Sequence, residues 1–64
     1  MTKTELKSKV KKIERAAIVL YNLSWDLKKE FNEIDNAEDL HNLANELDVL
    51  LVNLKDDLRE EGAL

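Results

Sequence analysis

Apolar positions recur along the first half of the chain at the spacing of a helix seam. Up to residue 34 the steps alternate between four and three residues, and only Ser24 in the series is polar. The series is Leu6, Val10, Ile13, Ala17, Leu20, Ser24, Leu27, Phe31 and Ile34. A heptad spacing sustained over this length predicts a long amphipathic helix at about 4–34.

The second half carries a matching series. Its members are Ala37, Leu40, Ala44, Leu47, Leu51, Leu54 and Leu58. This spacing predicts a second helix at about 37–61. Thr2 or Thr4 suits the N-cap of the first helix, and Asp35 or Asn36 suits that of the second. Gly62 is placed to end the second helix in a left-handed conformation.

A connection as short as residues 35–36 makes the two helices antiparallel neighbours. We therefore expect an all-α fold in which residues 1–64 form one antiparallel helical hairpin with coiled-coil spacing. Leu43 and Leu50 widen the second seam beyond what one partner helix covers, so we expect two hairpins to pair as a homodimeric four-helix bundle. The predicted dimer core is Val10, Ile13, Ala17, Leu20, Leu27, Phe31, Leu40, Leu43, Ala44, Leu47, Leu50, Leu51 and Leu54.

Length and composition agree with self-association. A chain of 64 residues buries too little surface to be comfortably stable alone, and without cysteine it has no disulfide to compensate. There is one histidine, one glycine and no cysteine, so nucleophilic catalysis and phosphate-binding loops have no basis in the sequence. We expect a protein that is not an enzyme and that needs neither cofactor nor metal.

Charge is distributed unevenly between the two ends of the chain. Residues 1–15 carry a net charge of +4, whereas residues 26–64 carry −8. An antiparallel hairpin is expected to lay this basic start beside the acidic cluster of Asp56, Asp57, Glu60 and Glu61. The cluster could mimic a nucleic acid or dock on a basic protein, but we expect it to be a solvated face. Lys9, Lys12 and Arg15 are candidate contacts to nucleic-acid phosphates.

The longest stretch without a charged residue is Ala16–Trp25, which is only ten residues long. A membrane-spanning helix needs about 20. The lysines near the N-terminus are followed by no apolar core or cleavage site of a signal peptide. The expected location is therefore the cytoplasm, away from membranes.

A second set of apolar residues lies off the two seams. It comprises Ile18, Val19, Tyr21, Trp25, Val49 and Val52. An apolar patch on a charged surface often marks an interaction site, and Trp and Tyr are frequent anchors of such sites. These residues are therefore candidates for binding a protein partner. The alternative is that they belong to the core of a bundle with a different register, and the position of Trp25 decides between the two.

His41 is the only histidine, and it lies three residues after Glu38. The Glu-x-x-His spacing ligates metal in some helical bundles when further carboxylates point inward. Here the neighbouring seam residues are leucine and alanine. We therefore expect a solvated histidine at the edge of the second helix and no metal site.

Three segments together resemble Rop, the family of small plasmid-encoded RNA-binding regulators that form dimers of helical hairpins. They are Met1-Thr2-Lys3, Asn32-Glu33-Ile34-Asp35 and Leu40-His41-Asn42-Leu43-Ala44-Asn45-Glu46-Leu47. The resemblance implies the hairpin fold and an RNA partner. The family's RNA-facing residues fall on Ser8, Arg15, Val19, Leu23 and Glu30, and none of them is retained.

The sequence thus predicts a small regulatory or adaptor protein that acts through protein–protein interaction as a homodimer. The alternative is a Rop-like RNA-binding regulator.

Overall fold

The computed structural model describes residues 1–64 as two helices. Helix α1 spans Lys3–Glu30 and helix α2 spans Asp35–Glu60, and they pack against each other as an antiparallel hairpin. The hairpin measures 45 × 17 × 12 Å. The all-helical hairpin predicted from the apolar spacing is therefore confirmed.

The outer end of each helix is closed by local hydrogen bonds. The Thr2 side chain accepts a hydrogen bond from the backbone N–H of Glu5 at 3.1 Å, which satisfies one of the free donors of α1. At the other end, Gly62 adopts a φ of +76°. Its N–H bonds to the carbonyl of Arg59, and the N–H of Ala63 bonds to that of Leu58. These two bonds form a Schellman motif and end α2.

The connection is longer than the sequence predicts. Helix α1 ends at Glu30 rather than near residue 34, because Phe31 leaves the helical region with φ −120° and ψ 53°. Ile34, with no side-chain cap, precedes α2, and Asp35 is already helical. The predicted caps Asp35 and Asn36 are therefore wrong. Asp35 and Glu38 instead place carboxylates in the first turn, where they complement the helix dipole.

Small and polar side chains form the seam between the helices. Val10, Ala17 and Ser24 are buried on α1, and His41, Ala44 and Leu51 are buried on α2. Small residues let two helix backbones approach closely, and Ala17 and Ala44 are almost wholly enclosed. Only these six of the 64 residues are buried, so the hairpin has a narrow core.

Neither helix is both long enough and apolar enough to cross a membrane.

Candidate protein-interaction surfaces

A broad apolar surface lies on one side of the hairpin. We call it the apolar face. On α1 it consists of Ile13, Ala16, Leu20, Leu23 and Leu27, and on α2 of Leu40, Leu43, Leu47, Leu50 and Leu54. Eight of these ten residues are exposed, and Leu20 and Leu47 are half-buried. Leu50 keeps 63% of its surface exposed and Leu43 keeps 59%.

The two halves of the apolar face lie on the same side because their positions relative to the seam match. On α1, Leu20 comes three residues after the seam residue Ala17; on α2, Leu47 comes three residues after Ala44. At about 100° per residue, both stripes are rotated from the seam in the same sense. Since the helices run in opposite directions, equal rotations bring both stripes to one face.

The seam and the apolar face divide the predicted dimer core between them. Val10, Ala17, Ala44 and Leu51 of that set are buried between the two helices of one chain. The remaining members lie on the apolar face or, in the case of Phe31, beside it at the turn. The heptad series therefore contains two adjacent stripes, one used within the hairpin and one left open.

The exposed area of the hairpin is large for its mass. A compact monomer of 7.4 kDa exposes about 4,200 Å², whereas the hairpin exposes 5047 Å². The hairpin therefore exposes about 800 Å² more than a compact monomer of its mass.

The opposite side of the hairpin carries a smaller apolar patch. We call it the Trp25 face: Ile18, Tyr21 and Trp25 of α1 with Val52 of α2. Ile18 and Val52 line a shallow groove of about 250 Å³ together with Glu14 and Asp48. Trp25 is 42% exposed, and its ring packs on His41 with the centroids 5.1 Å apart. Trp25 is thus neither a core residue nor a fully free one.

The other two residues predicted to bind a partner lie apart from the Trp25 face. Val19 and Val49 are exposed, but they point away from the seam on the outer sides of α1 and α2. The structure brings four of the six predicted residues together and separates these two.

His41 is buried, with 8% of its surface exposed, so the expectation of a solvated histidine is wrong. Its Nδ1 lies 3.2 Å from the Ser24 hydroxyl oxygen. The ring also stacks at an angle against Tyr21, with the centroids 4.8 Å apart. Helix α2 is rotated so that His41 faces the seam while Leu40 and Leu43 face solvent, and the hydroxyl of Ser24 then satisfies the imidazole.

No group of three or more His, Cys, Asp or Glu residues is placed to hold a metal ion.

The charges at the end of the hairpin opposite the turn do not pair as expected. The one ion pair between the helices joins Glu14 of α1 to Lys55 of α2 at 3.3 Å. It therefore uses an acid of the basic segment and a base of the acidic helix. None of the lysines in the basic segment forms a salt bridge with the cluster at Asp56–Glu61.

Those free cations gather on the outer side of α1. Lys7, Lys11, Lys12 and Arg15 line an open groove of about 400 Å³ together with Thr4 and Ser8. Two of the three predicted nucleic-acid contacts, Lys12 and Arg15, are therefore brought together. Lys9 shares a heptad position with Ala16 and Leu23 and lies instead in line with the apolar face.

The chain matches no protein-family model, and comparisons with curated proteins and with solved structures find no significant match.

Proposed function

We propose that this chain is a small, non-catalytic regulatory or adaptor protein that acts as a homodimer. The apolar faces of two hairpins pack together and close a four-helix bundle, which leaves the Trp25 face outward for a protein partner. The observation that carries the proposal is the apolar face itself, which has ten apolar residues at alternating steps of three and four on one side of a hairpin with only six buried residues.

The energetics favour a second copy as the occupant of the apolar face. Contiguous apolar surface of this extent is rare on monomeric proteins. A compact dimer of twice the mass exposes about 7,000 Å². Two free hairpins of 5047 Å² each would therefore bury about 3,000 Å² in total on pairing. That area lies within the range of obligate homodimers.

The test of self-association is a pair of matched double variants followed by sedimentation equilibrium. The wild-type chain is expected to sediment as a dimer, with a mass twice 7.4 kDa. Leu23→Gln with Leu50→Gln, both on the apolar face, should shift it to monomer, because each glutamine puts a polar amide into the buried layer. A wild-type chain that stays monomeric at micromolar concentration would remove the proposal.

The control is Val19→Gln with Val49→Gln. These valines are as exposed as the two leucines, at 55% and 57%, but lie outside the apolar face. The control should sediment as a dimer. If it dissociates as readily as the leucine variant, the apolar face is not the interface.

The Trp25 face supports the partner-binding part of the proposal. Exposed Ile18 and Val52 line a groove, and Trp25, about two turns further along the same side of α1, offers a large anchor. Ile18→Gln with Val52→Gln should abolish capture of a partner from native lysate while the dimer persists. Ser8→Gln with Asn53→Gln, on exposed positions away from this face, should capture as the wild type does. Equal capture by both variants would place partner binding elsewhere.

One observation favours RNA binding as a second candidate function. The groove at Lys7, Lys11, Lys12 and Arg15 holds four cations with no acidic partner within salt-bridge distance. Such a stripe can follow a phosphate backbone, and its binding would weaken steeply with salt. A gel shift with structured RNA at low salt tests this function. Absence of a complex, or a complex unaffected by Lys12→Gln with Arg15→Gln, would remove it.

A further inference from the structure

A second groove continues the Trp25 face towards the end of the hairpin opposite the turn. It has a volume of about 340 Å³ and is lined by Glu14 and Lys55, which also line the groove at Ile18 and Val52. The ion pair between Glu14 and Lys55 therefore lies where the two grooves meet. Both grooves are lined by residues of α1 and of α2, so together they form one channel between the helices. We call this channel the long groove.

The long groove is positively charged, although the chain as a whole carries −4. Its lining contains four bases and two acids, which gives a net charge of +2. Lys7 and Lys11 of α1 have no acidic partner within salt-bridge distance. Arg59 of α2 lines the same stretch and pairs only with the exposed Asp56 of its own helix. Unpaired positive charge is thus concentrated at the end away from the turn.

The stretch of the long groove nearer the turn is mainly apolar. Ile18 and Val52 keep 58% and 59% of their surface exposed, beside the buried Leu51. Trp25 follows about two turns further along α1. The acid at this level is Asp48, which is half-buried and has no basic partner. An acidic group of a bound partner is therefore disfavoured here and favoured at the other end of the groove.

The hairpin offers side chains, and not backbone, for recognition. It has no strand, and 46 of its backbone hydrogen bonds lie within the two helices, so an extended peptide has no sheet edge to join. A groove between two packed helices instead accepts the side chains of a third helix. At ~1.5 Å per residue, Lys7 and Trp25 are about 27 Å apart along α1, which is the length of a helix of about 18 residues.

We propose, on the basis of the partner-binding role given to the Trp25 face above, that the long groove binds an amphipathic helix of a partner protein, apolar along one half and acidic at the other end. Two apolar residues about seven positions apart lie over Trp25 and over Ile18 with Val52. Two acids, about seven and eleven positions beyond the second apolar residue, reach Lys11 and Lys7. These spacings match the groove, because Lys11 and Lys7 precede Ile18 by seven and eleven residues.

Fluorescence anisotropy with two labelled helical peptides tests the charge of the partner. Both peptides carry two leucines at the spacing of Ile18 and Trp25. The acidic peptide has glutamates at the two charged positions, and the basic peptide has lysines there. The wild-type chain should bind the acidic peptide at least tenfold more tightly in about 0.15 M salt. Equal binding of the two peptides, tighter binding of the basic one, or no binding of either would overturn the proposal.

Charge reversal within the groove provides the variant test. Lys7→Glu with Lys11→Glu should weaken binding of the acidic peptide at least tenfold and make the basic peptide the tighter ligand. Lys12→Glu with Arg15→Glu changes the net charge equally on the outer side of α1, where neither residue lines the long groove. This matched control should change the affinity less than threefold. A control as weak as the groove variant would show that only the net charge matters, and would overturn the groove as the site.

Ile18→Gln with Val52→Gln distinguishes failure of this proposal from failure of the proposed function. The variant should lose both the acidic peptide and capture of a partner from native lysate. If it loses capture but the wild-type chain does not bind the acidic peptide, the Trp25 face binds a partner of other chemistry and only the acidic helix is wrong. If it keeps capture, the partner-binding role itself is wrong. Structured RNA that binds through Lys7 and Lys11, with no binding of the acidic peptide, would assign the groove to nucleic acid instead.

Discussion

The hydroxyl oxygen of Ser24 lies 3.2 Å from Nδ1 of His41, in the middle of the seam between the helices. The same hydroxyl donates its proton to the carbonyl of Tyr21 at 2.9 Å. Because that proton is committed, the Ser24 oxygen is placed to accept a hydrogen bond from Nδ1–H of His41. This polar contact joins α1 to α2 within a seam whose other buried residues are apolar. It can form at only one relative alignment of the two helices.

Ser24→Ala should lower the free energy of unfolding by about 1–3 kcal/mol, because it leaves the buried Nδ1–H of His41 without an acceptor. Urea unfolding followed by circular dichroism measures the loss, at a fixed chain concentration because association also contributes to stability. Ser8→Ala is the control, since Ser8 is exposed on the same helix. A Ser24→Ala variant as stable as this control would mean that the contact contributes nothing.

The double variant Ser24→Ala with His41→Leu gives a sharper test of the same contact. Removing both polar partners leaves no unsatisfied group, so the double variant should be more stable than the sum of the two single losses predicts. Strict additivity would contradict a direct interaction between Ser24 and His41.

The sequence predicts the existence of both helices because their apolar spacing is long and regular. Thr2 and Gly62 were also recognisable as end signals, since an N-cap and a left-handed residue each require particular residue types. The end of α1 was not, because Phe31 and Ile34 continue the apolar spacing while the backbone has already left the helix. Phe31 and Ile34 fit the helix spacing because they are apolar, and their residue type alone does not show whether they are buried in a helix or exposed at a turn.

The burial of His41 could not be predicted for a related reason. Leu40, His41 and Ala44 are close enough around α2 that a rotation of about one position decides which of them faces α1. Hydrophobicity favours burial of Leu40 in the seam. The structure instead buries His41, which contacts Ser24, and Ala44, which packs closely with Ala17. The Trp25 face was visible in the sequence as an off-seam patch, but the packing of Trp25 on His41 depends on that rotation.

Ala44→Leu should destabilise the hairpin by about 1–3 kcal/mol. Ala44 has no exposed surface, so the added side-chain atoms have no space unless the helices move apart. Thermal unfolding measures the change. Asn42→Leu, an exposed position on the same helix, should leave the melting temperature within a few degrees of the wild-type value. Equal effects from both substitutions would contradict close packing at Ala44.

Thr2→Ala should cost about 1 kcal/mol, because the backbone N–H of Glu5 loses its acceptor at the start of α1. Hydrogen exchange of the first-turn amides measures the fraying directly. Thr4→Ala is the matched control, since Thr4 lies inside the helix and caps nothing. Thr2→Asn should retain most of the protection, because asparagine also accepts from the third helical N–H. Loss of protection in the Thr4 variant but not in the Thr2 variant would show that Thr4, and not Thr2, caps α1.

Trp25→Ala should lower stability by about 1–2 kcal/mol while leaving self-association intact. The loss is expected because the ring packs on His41, with the Lys28 and Lys29 amines 5.8 and 5.5 Å from its centroid. It is smaller than for a core tryptophan because the side chain is half-exposed. The dimer should persist because Trp25 lies on the side opposite the apolar face.

Urea unfolding and sedimentation of one sample measure both quantities, and Trp25→Phe should recover most of the stability. If Trp25→Ala instead yields a folded monomer, the tryptophan belongs to the interface between copies, and the assignment of the two faces is reversed.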